Sequence, residues 1–600
     1  MLTKEIFRNR MKLYTLAGIV GIVSGFTAVL FRWLIQGISL IFVVVPYFLG
    51  PIGWILTPIL GAFVVAAIVV RYAPEAKGHG VPEVMVAYTH EEGIIRPRIP
   101  LLKSLASAIC IGSGGSCGRE GPIAQIGAGA GSSLAKYMKL GKRETKALLV
   151  CGLSSGIAAT FNAPLGGTLF GIEIVAGGIV GFSIIPVILS SVVATAISTA
   201  ILGTQVSFQA PAFILNNPLE LIFYLIMGVL FGLISVGWIR GFYSIEDLFE
   251  RIRVSPYLLP AIGGLVTGLL AYVTFFSEST FGYNGVFGSS EPYYPAIMGV
   301  GYSFIDATLL SLTVLPALLV FGIFKFLATS STLGSGGSGG VFAPTLFTGA
   351  AFGGAFGLAC SLIFPTIVTF PMAFALVGMA ALFAGIGRAP ITCIVILMEM
   401  TSSYSMILPL MLATSASYLV SSIIEEDSIY TMKPSRKGIN VKQASHIGVL
   451  KIIPLEEIMT THPTVLKTTM TQEEVLHIVD QTHHTKFPVV DAEDNIVGTL
   501  ITEDLFHDLD PEGPQPVVGV LMDRDFLHLS PGCAMDSVLH AMIEKDQGHA
   551  VVVDPMNPKK MIGFVTKADV LKAYELAIFR LQQQGQAIED IGPADMVDVV

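Results

Sequence analysis

The sequence predicts an all-α polytopic membrane body followed by a water-soluble α/β module. Composition, charge distribution and two separate internal repeats carry that expectation. Of 600 residues, 52% are hydrophobic and 13% charged, whereas soluble domains are about a quarter charged. Lipid is therefore the main solvent of this chain. Residues 441–600 hold 11 Lys+Arg against 25 Asp+Glu, and nine of the eleven His; residues 1–440 hold 24 against 19. The net charge of −9 thus divides into an acidic tail and a slightly basic body. Such an acid balance argues against a nucleic-acid partner, whose phosphates call for a basic surface. The six Cys have neither paired nor Cys-x-x-Cys spacing, so no disulfide framework or metal site is expected.

In chain order, Lys4, Arg8, Arg10 and Lys12 precede the first apolar run, without a small-residue cleavage site. This reads as an anchor rather than a removed signal peptide, and the positive-inside rule places it in the cytoplasm. Apolar runs follow at 13–31, 52–70, 146–160, 181–202, 219–238, 257–275, 308–328, 369–386 and 405–424. Several reach the roughly 20 residues a spanning helix needs; others are short and broken by Gly or Pro, as in helices that end inside the bilayer. Lys433, Arg436 and Lys437 follow the last run. A multi-pass protein of the cell inner or plasma membrane, with both termini cytoplasmic, is expected.

The body repeats itself. Gly118-Arg119-Glu120-Gly121-Pro122 has a counterpart in Gly340-Val341-Phe342-Ala343-Pro344. Ala163-Pro164 precedes Glu173, and Ala389-Pro390 precedes Glu399, each by nine residues from the Pro. Pro-to-Pro distances of 42 and 46 keep the two copies in step. Internal repeats of this kind mark transporters whose site lies at the repeat interface, although sequence does not say whether the copies are parallel or inverted.

Three Gly-rich segments, 78–83, 112–122 and 334–344, each carry a Pro near the end. Irregular backbone at membrane depth survives only where protein buries it or where it lines a cavity. Pro suits the first turn of a helix, and a helix beginning there turns its free N–H groups and positive dipole end back on the loop. Several such ends converging would hold an anion without a full positive charge. Close packing through small residues, as at Gly127–Gly131, is the competing account of the glycines. Glu120 is an acid at membrane depth, for which a functional role is the default. It could sit where an anion would and leave when protonated; an ion pair with Arg119 is the alternative.

Taken together, these residues resemble the CLC chloride channel/transporter family over residues ~10–435. Gly118–Pro122 is similar to the family's G-R-E-G-P, Gly340–Pro344 to G-x-F-x-P, and Gly78–Pro82 to G-S-G-x-P. The resemblance implies an inverted-repeat CLC fold with broken, tilted helices, and a homodimer with one anion pathway per subunit. It implies that Glu120 is the gating and proton-handling glutamate. It further implies that His79, Gly80, Val341, Phe342 and Tyr430 bind chloride or a similar small anion, with no cofactor required. Two positions depart from the pattern. His79 replaces the family's anion-coordinating serine: a neutral imidazole can donate one hydrogen bond, and a protonated one would add charge, unless the ring is a satisfied buried histidine facing away. Ile174, after Glu173, stands where proton-coupled members commonly carry a second glutamate. Glu173 and Glu399 are expected to hydrogen-bond structurally.

In the tail, Phe487–Asp491 pairs with Ala550–Asp554, and Gly498–Asp504 with Gly563–Asp569. This α/β alternation resembles a tandem CBS pair, which implies an adenine nucleotide as a possible ligand. Asp504, Thr566 and Asp569 are the candidate nucleotide-binding residues, with Ile501 where the first copy would need a threonine. Helix capping by Thr566 and Asp569 is the alternative. The expected organisation is a transport domain over 1–435, a linker over 436–454, CBS units at 455–511 and 517–574, and a flexible acidic tail over 575–600.

The expected function is passage of chloride or a similar anion through a pathway gated by Glu120, channel-like or weakly proton-coupled because of Ile174. Proton/chloride exchange through Glu120 is the alternative. An intramembrane enzyme would need paired Asp, a Ser/His dyad or His-x-x-x-His spacing, and the body's two His, His79 and His90, are eleven apart. A nucleotide sensor with a mere membrane anchor would need neither the repeat nor the Gly-rich turns.

Overall fold

The computed structural model describes residues 2–177, 184–204, 207–211, 213–280, 294–439, 441, 450, 453–506 and 516–583. The chain divides into two compact units at 445/446. Among the described residues, seven helical stretches are long and apolar enough to cross a membrane, including Ile184–Leu202, Glu220–Arg251 and Phe342–Ile363. Shorter apolar helices, Pro164–Val175, Ala373–Gly387 and Pro390–Thr401, lie among them. The apolar run 308–328 is not one helix. It breaks at Ser311, which adopts φ 60, and the next helix begins at Leu315 with Pro316 in its first turn.

The repeat is a three-dimensional one. Arg98–Gly112, Glu120–Tyr137, Lys142–Phe161 and Pro164–Phe170 form the first copy. Leu315–Gly334, Phe342–Ile363, Ala373–Gly387 and Pro390–Thr401 form the second. Helices pack through glycine contacts at corresponding places: a Cβ on Gly127 would overlap the Gly152 carbonyl, and one on Gly349 would stand 2.6 Å from the Gly378 carbonyl oxygen. Such contacts let helix backbones approach closely where lipid offers no hydrophobic drive to association.

Glu173 and Glu399 tie the copies together. Glu173 accepts from the backbone N–H groups of Ile391 and Thr392 at 3.3 and 2.7 Å, and from the Thr392 hydroxyl at 2.6 Å. Glu399 accepts from Leu165 and Gly166 at 3.1 and 2.7 Å. Each carboxylate therefore caps the first turn of the other copy's Pro-initiated helix, where N–H groups have no intrahelical partner and the dipole favours negative charge.

The second unit holds two three-stranded sheets. In the first, β1 (Leu466–Lys467) runs parallel to β2 (Lys486–Val490), which is antiparallel to β3 (Ile496–Ile501). In the second, β4 (His528–Leu529), β5 (His549–Asp554) and β6 (Asn557–Thr566) repeat that order. Thr460, ahead of the first sheet, exchanges backbone hydrogen bonds with Phe564 on β6, and Asp523, ahead of the second, does so with Thr499 on β3. The halves are thus crossed over one another. After β3 the described residues of the first half make a 3-10 turn, Thr502–Phe506, whereas β6 leads into the long helix Lys567–Gln583. That helix corrects the flexible tail expected from 575: the chain stays helical through Gln583, and 584–600 lie outside the described residues. The linker expected at 436–454 begins inside the short helix Met432–Arg436, and its residues 442–449 lie outside the described ones.

Removing either interlocking cap leaves two backbone donors without their acceptor. Glu399→Ala is expected to destabilise the solubilised protein by about 1–3 kcal/mol, with a larger loss for Glu173→Ala, which also frees a hydroxyl. Thermal unfolding followed by fluorescence-detected gel filtration measures both.

Candidate anion-transport site

The three Gly-rich turns meet. Gly118 and Gly340, equivalent residues of the two copies, exchange both backbone hydrogen bonds at 2.7 and 2.6 Å as an antiparallel bridge. Equivalent residues paired antiparallel are related by a local twofold. Gly78 N–H donates to the Gly337 carbonyl at 2.9 Å, and Gly339 N–H to the Gly78 carbonyl at 3.2 Å, which joins the third turn. Backbone that could not be left unpaired in lipid is satisfied by its own repeat.

Side chains repeat the pattern. Ser107 and Ser338 hydroxyls lie 2.8 Å apart, and Ser116 and Thr329 hydroxyls 3.0 Å apart. Two fully buried lysines occupy equivalent positions, fifteen residues before Gly118 and Gly340. Lys103 donates to the carbonyls of Ala76 and Gly78 at 2.9 and 2.8 Å. Lys325 donates to those of Ile297 and Gly299 at 3.0 and 2.8 Å. Neither lysine was singled out by sequence; their common offset from the two Gly-rich motifs was the available signal.

Helices start at Val81, Glu120 and Phe342, so their N-terminal ends share this centre. Gly80 precedes the first with φ 83, a conformation L-residues avoid. Val341 precedes the third and, like Phe342, is buried. Glu120 is completely buried in the first turn of the second. Its Oε2 tucks against Gly118 beside the backbone N–H of Ala343, in the first turn of Phe342–Ile363. Its Oε1 accepts from the Tyr302 hydroxyl at 2.6 Å. Arg119 lies over the Tyr302 ring, 5.3 Å from its centroid. The carboxylate's side-chain hydrogen bond is therefore to Tyr302, a residue sequence analysis missed because only the tertiary fold carries it 182 positions to its partner.

His79 and Tyr430, both buried, stand with ring centroids 5.9 Å apart. Tyr430 and Phe342 each approach Phe170 and Phe383. His79 also meets Phe242 edge-on at 6.0 Å, and its Nδ1 has no protein partner. The structure thus brings Glu120, His79, Gly80, Val341, Phe342 and Tyr430 to one apolar-walled centre formed by helix ends. Ile174 is buried within the π-helical turn Gly171–Val175, next to the capping Glu173.

In the second unit, Thr566 and Asp569 are adjacent and bonded to each other. Asp569 accepts from the Thr566 N–H and hydroxyl at 2.9 and 2.8 Å, and Lys572 reaches its other oxygen at 3.1 Å. This is a helix-capping arrangement at the start of Lys567–Gln583. The side chain of Asp504 lies outside the described residues.

Polar backbone turned inward from a repeated, lipid-facing helical body defines a membrane transport protein. The family description "voltage gated chloride channel" matches residues 61–422, and CBS domains match 455–510 and 518–576. The chain belongs to that family, the CLC chloride channels and transporters, and carries a CBS pair. It is 32% identical to an H(+)/Cl(-) exchange transporter ClcA of Vibrio parahaemolyticus over 69% of this chain and 88% of that one. A protein of Ralstonia nicotianae, provisionally named as ClcB-like chloride channel, is 31% identical over 60% and 80%. A slow cyanobacterial Cl-/H+ antiporter has a TM-score of 0.62 and 26% identity over 71% of this chain and 97% of its own. A eukaryotic CLC transporter, at 19% identity, shares the fold over 94% and 98% with a TM-score of 0.58.

The crossing of the turns leaves no room at Gly121, where a Cβ would overlap the His79 carbonyl oxygen and stand 3.1 Å from Gly340 Cα. Gly121→Ala is expected to abolish anion flux in reconstituted vesicles, because backbone on three elements must shift to accept one methyl group.

Proposed function

We propose that this protein exchanges chloride for protons across a membrane, with Glu120 as the group that both gates the anion path and carries the proton. The observation that carries this reading is the placement of Glu120: a buried carboxylate at the meeting of helix N-termini, with one oxygen held by Tyr302 and the other against the first turn of Phe342–Ile363 beside Ala343. As a carboxylate it competes with chloride for the same positive helix ends; once protonated it loses that advantage and yields the place. The buried lysines Lys103 and Lys325 are spent on carbonyls, so the anion would be held by helix ends rather than by a bare cation, weakly enough for release. His79, Gly80, Val341, Phe342 and Tyr430 would line the anion's position, the helix ends through backbone N–H groups and Tyr430 through its hydroxyl. Relatives named as exchangers support this over the channel-like reading that Ile174 favours.

Ile174 still supports a second reading. An aliphatic side chain cannot relay a proton, so a chain with Ile174 in that place would conduct chloride with Glu120 acting as a gate only. We also infer a homodimer with a pathway in each subunit, and cytoplasmic termini on the strength of Lys4–Lys12 and Lys433–Lys437. An adenine nucleotide at the CBS pair would regulate transport; its ribose would have to replace the hydrogen bonds between Thr566 and Asp569.

The deciding experiment records chloride efflux and external pH together from vesicles under a chloride gradient. Proton uptake against its own gradient, abolished in Glu120→Gln while chloride still moves, is the result expected of an exchanger. Chloride movement without proton movement in the native sequence establishes the gated conductor instead, and no chloride movement overturns both.

A further inference from the structure

We propose that Tyr302 is the latch of the Glu120 gate: its hydroxyl holds the charged carboxylate in the closed position and releases it on protonation. The proposal rests on the reading of Glu120 as a proton-handling gate and names the device that sets the pH at which the gate opens.

The geometry is specific. The phenol-to-carboxylate distance of 2.6 Å lies in the range of charge-assisted O–H···O bonds, which are about twice as strong as neutral ones. A protonated Glu120 is a poorer acceptor, so uptake of a proton weakens the latch at the same moment that it removes the carboxylate's attraction to the helix ends. The phenol keeps its own proton throughout; only the hydrogen bond breaks.

Tyr302 is held from all sides for this task. Gly301, at φ 83, begins its helix, Tyr302–Leu309. The preceding turn is pinned by Lys325, through the carbonyls of Ile297 and Gly299, and Cys117 N–H donates to the same Gly299 carbonyl at 3.3 Å. Cys117 lies in the turn that leads to Glu120, so hydroxyl and carboxylate are positioned from one fixed piece of backbone. The ring stands edge-on to Phe208 at 5.0 Å, with Arg119 over its face. The other titratable groups near enough to act on Glu120 are Arg119 on its own turn, Lys325 from Leu315–Gly334, and Tyr430. Among the described residues, the side-chain hydrogen bond to the carboxylate comes from Tyr302 and from none of these three.

Tyr302→Phe retains the ring and its neighbours and deletes the donor. A donor to the charged form favours that form, so its loss lets Glu120 take up its proton at lower proton concentration. Chloride flux from vesicles, measured over a pH series, should reach half-activation about one pH unit higher than in the native protein, with raised flux at neutral pH. In a Glu120→Gln background the same substitution should leave the pH profile where it was. An unmoved midpoint in Tyr302→Phe, in protein that elutes as the native form and conducts chloride, overturns the latch. So does an equal shift in the Glu120→Gln background, because the effect would then not pass through Glu120. If native protein and Glu120→Gln share one pH profile, the gating reading itself fails and the latch fails with it, an outcome separable from the first two by the single Glu120 variant.

Discussion

The constraint on which the body depends is that peptide groups removed from water must find partners inside the protein. A site built from backbone at membrane depth has to break helices, and every break frees N–H and C=O groups that lipid cannot satisfy. The bridge between Gly118 and Gly340, and its extension to Gly78, meets that demand with the repeat itself. The two buried lysines each take a further pair of carbonyls. The helices that begin at Val81, Glu120 and Phe342 bring their N-terminal ends to the same turns.

The same economy explains the glutamates. Glu173 and Glu399 cap helices of the opposite copy, so the Pro-initiated ends there are used up structurally. Glu120 starts a helix of its own copy, takes the Tyr302 hydroxyl on one oxygen and lays the other against the first turn of the second copy's Phe342–Ile363, beside Ala343. The copies also differ at this place: the second carries Phe342 where the first carries Glu120. A twofold framework thus carries an acid in one copy where the other carries an aromatic ring.

The second unit shows a milder version of repetition with divergence. Two sheets of like order are crossed through Thr460–Phe564 and Asp523–Thr499, so neither half completes its pairing alone. The second half continues into a long helix, and there Thr566 and Asp569 serve as its cap. The motif that resembles a ribose site and the motif that caps a helix are the same side chains, because both uses need a short oxygen-bearing residue at a strand-to-helix junction.

By itself the sequence determined the two solvents, the nine apolar runs, both repeats and the Gly-rich turns around Glu120, because composition, charge and motif spacing are local properties that survive without coordinates. It also determined that His79, Phe342 and Tyr430 belong with that centre, through their likeness to family motifs. Tertiary structure decided who partners whom. Tyr302 lies in no motif, and its bond to Glu120 joins residues 182 apart; Lys103 and Lys325 look in sequence like misplaced charges until their carbonyl partners are seen. It also decided that the run 308–328 breaks at Ser311, and that residues read as a loose tail belong to the helix ending at Gln583. Hydropathy cannot register a left-handed residue or a helix docked by its own apolar face. Pairing across long separations is fixed by geometry and by the cost of leaving a buried polar group alone.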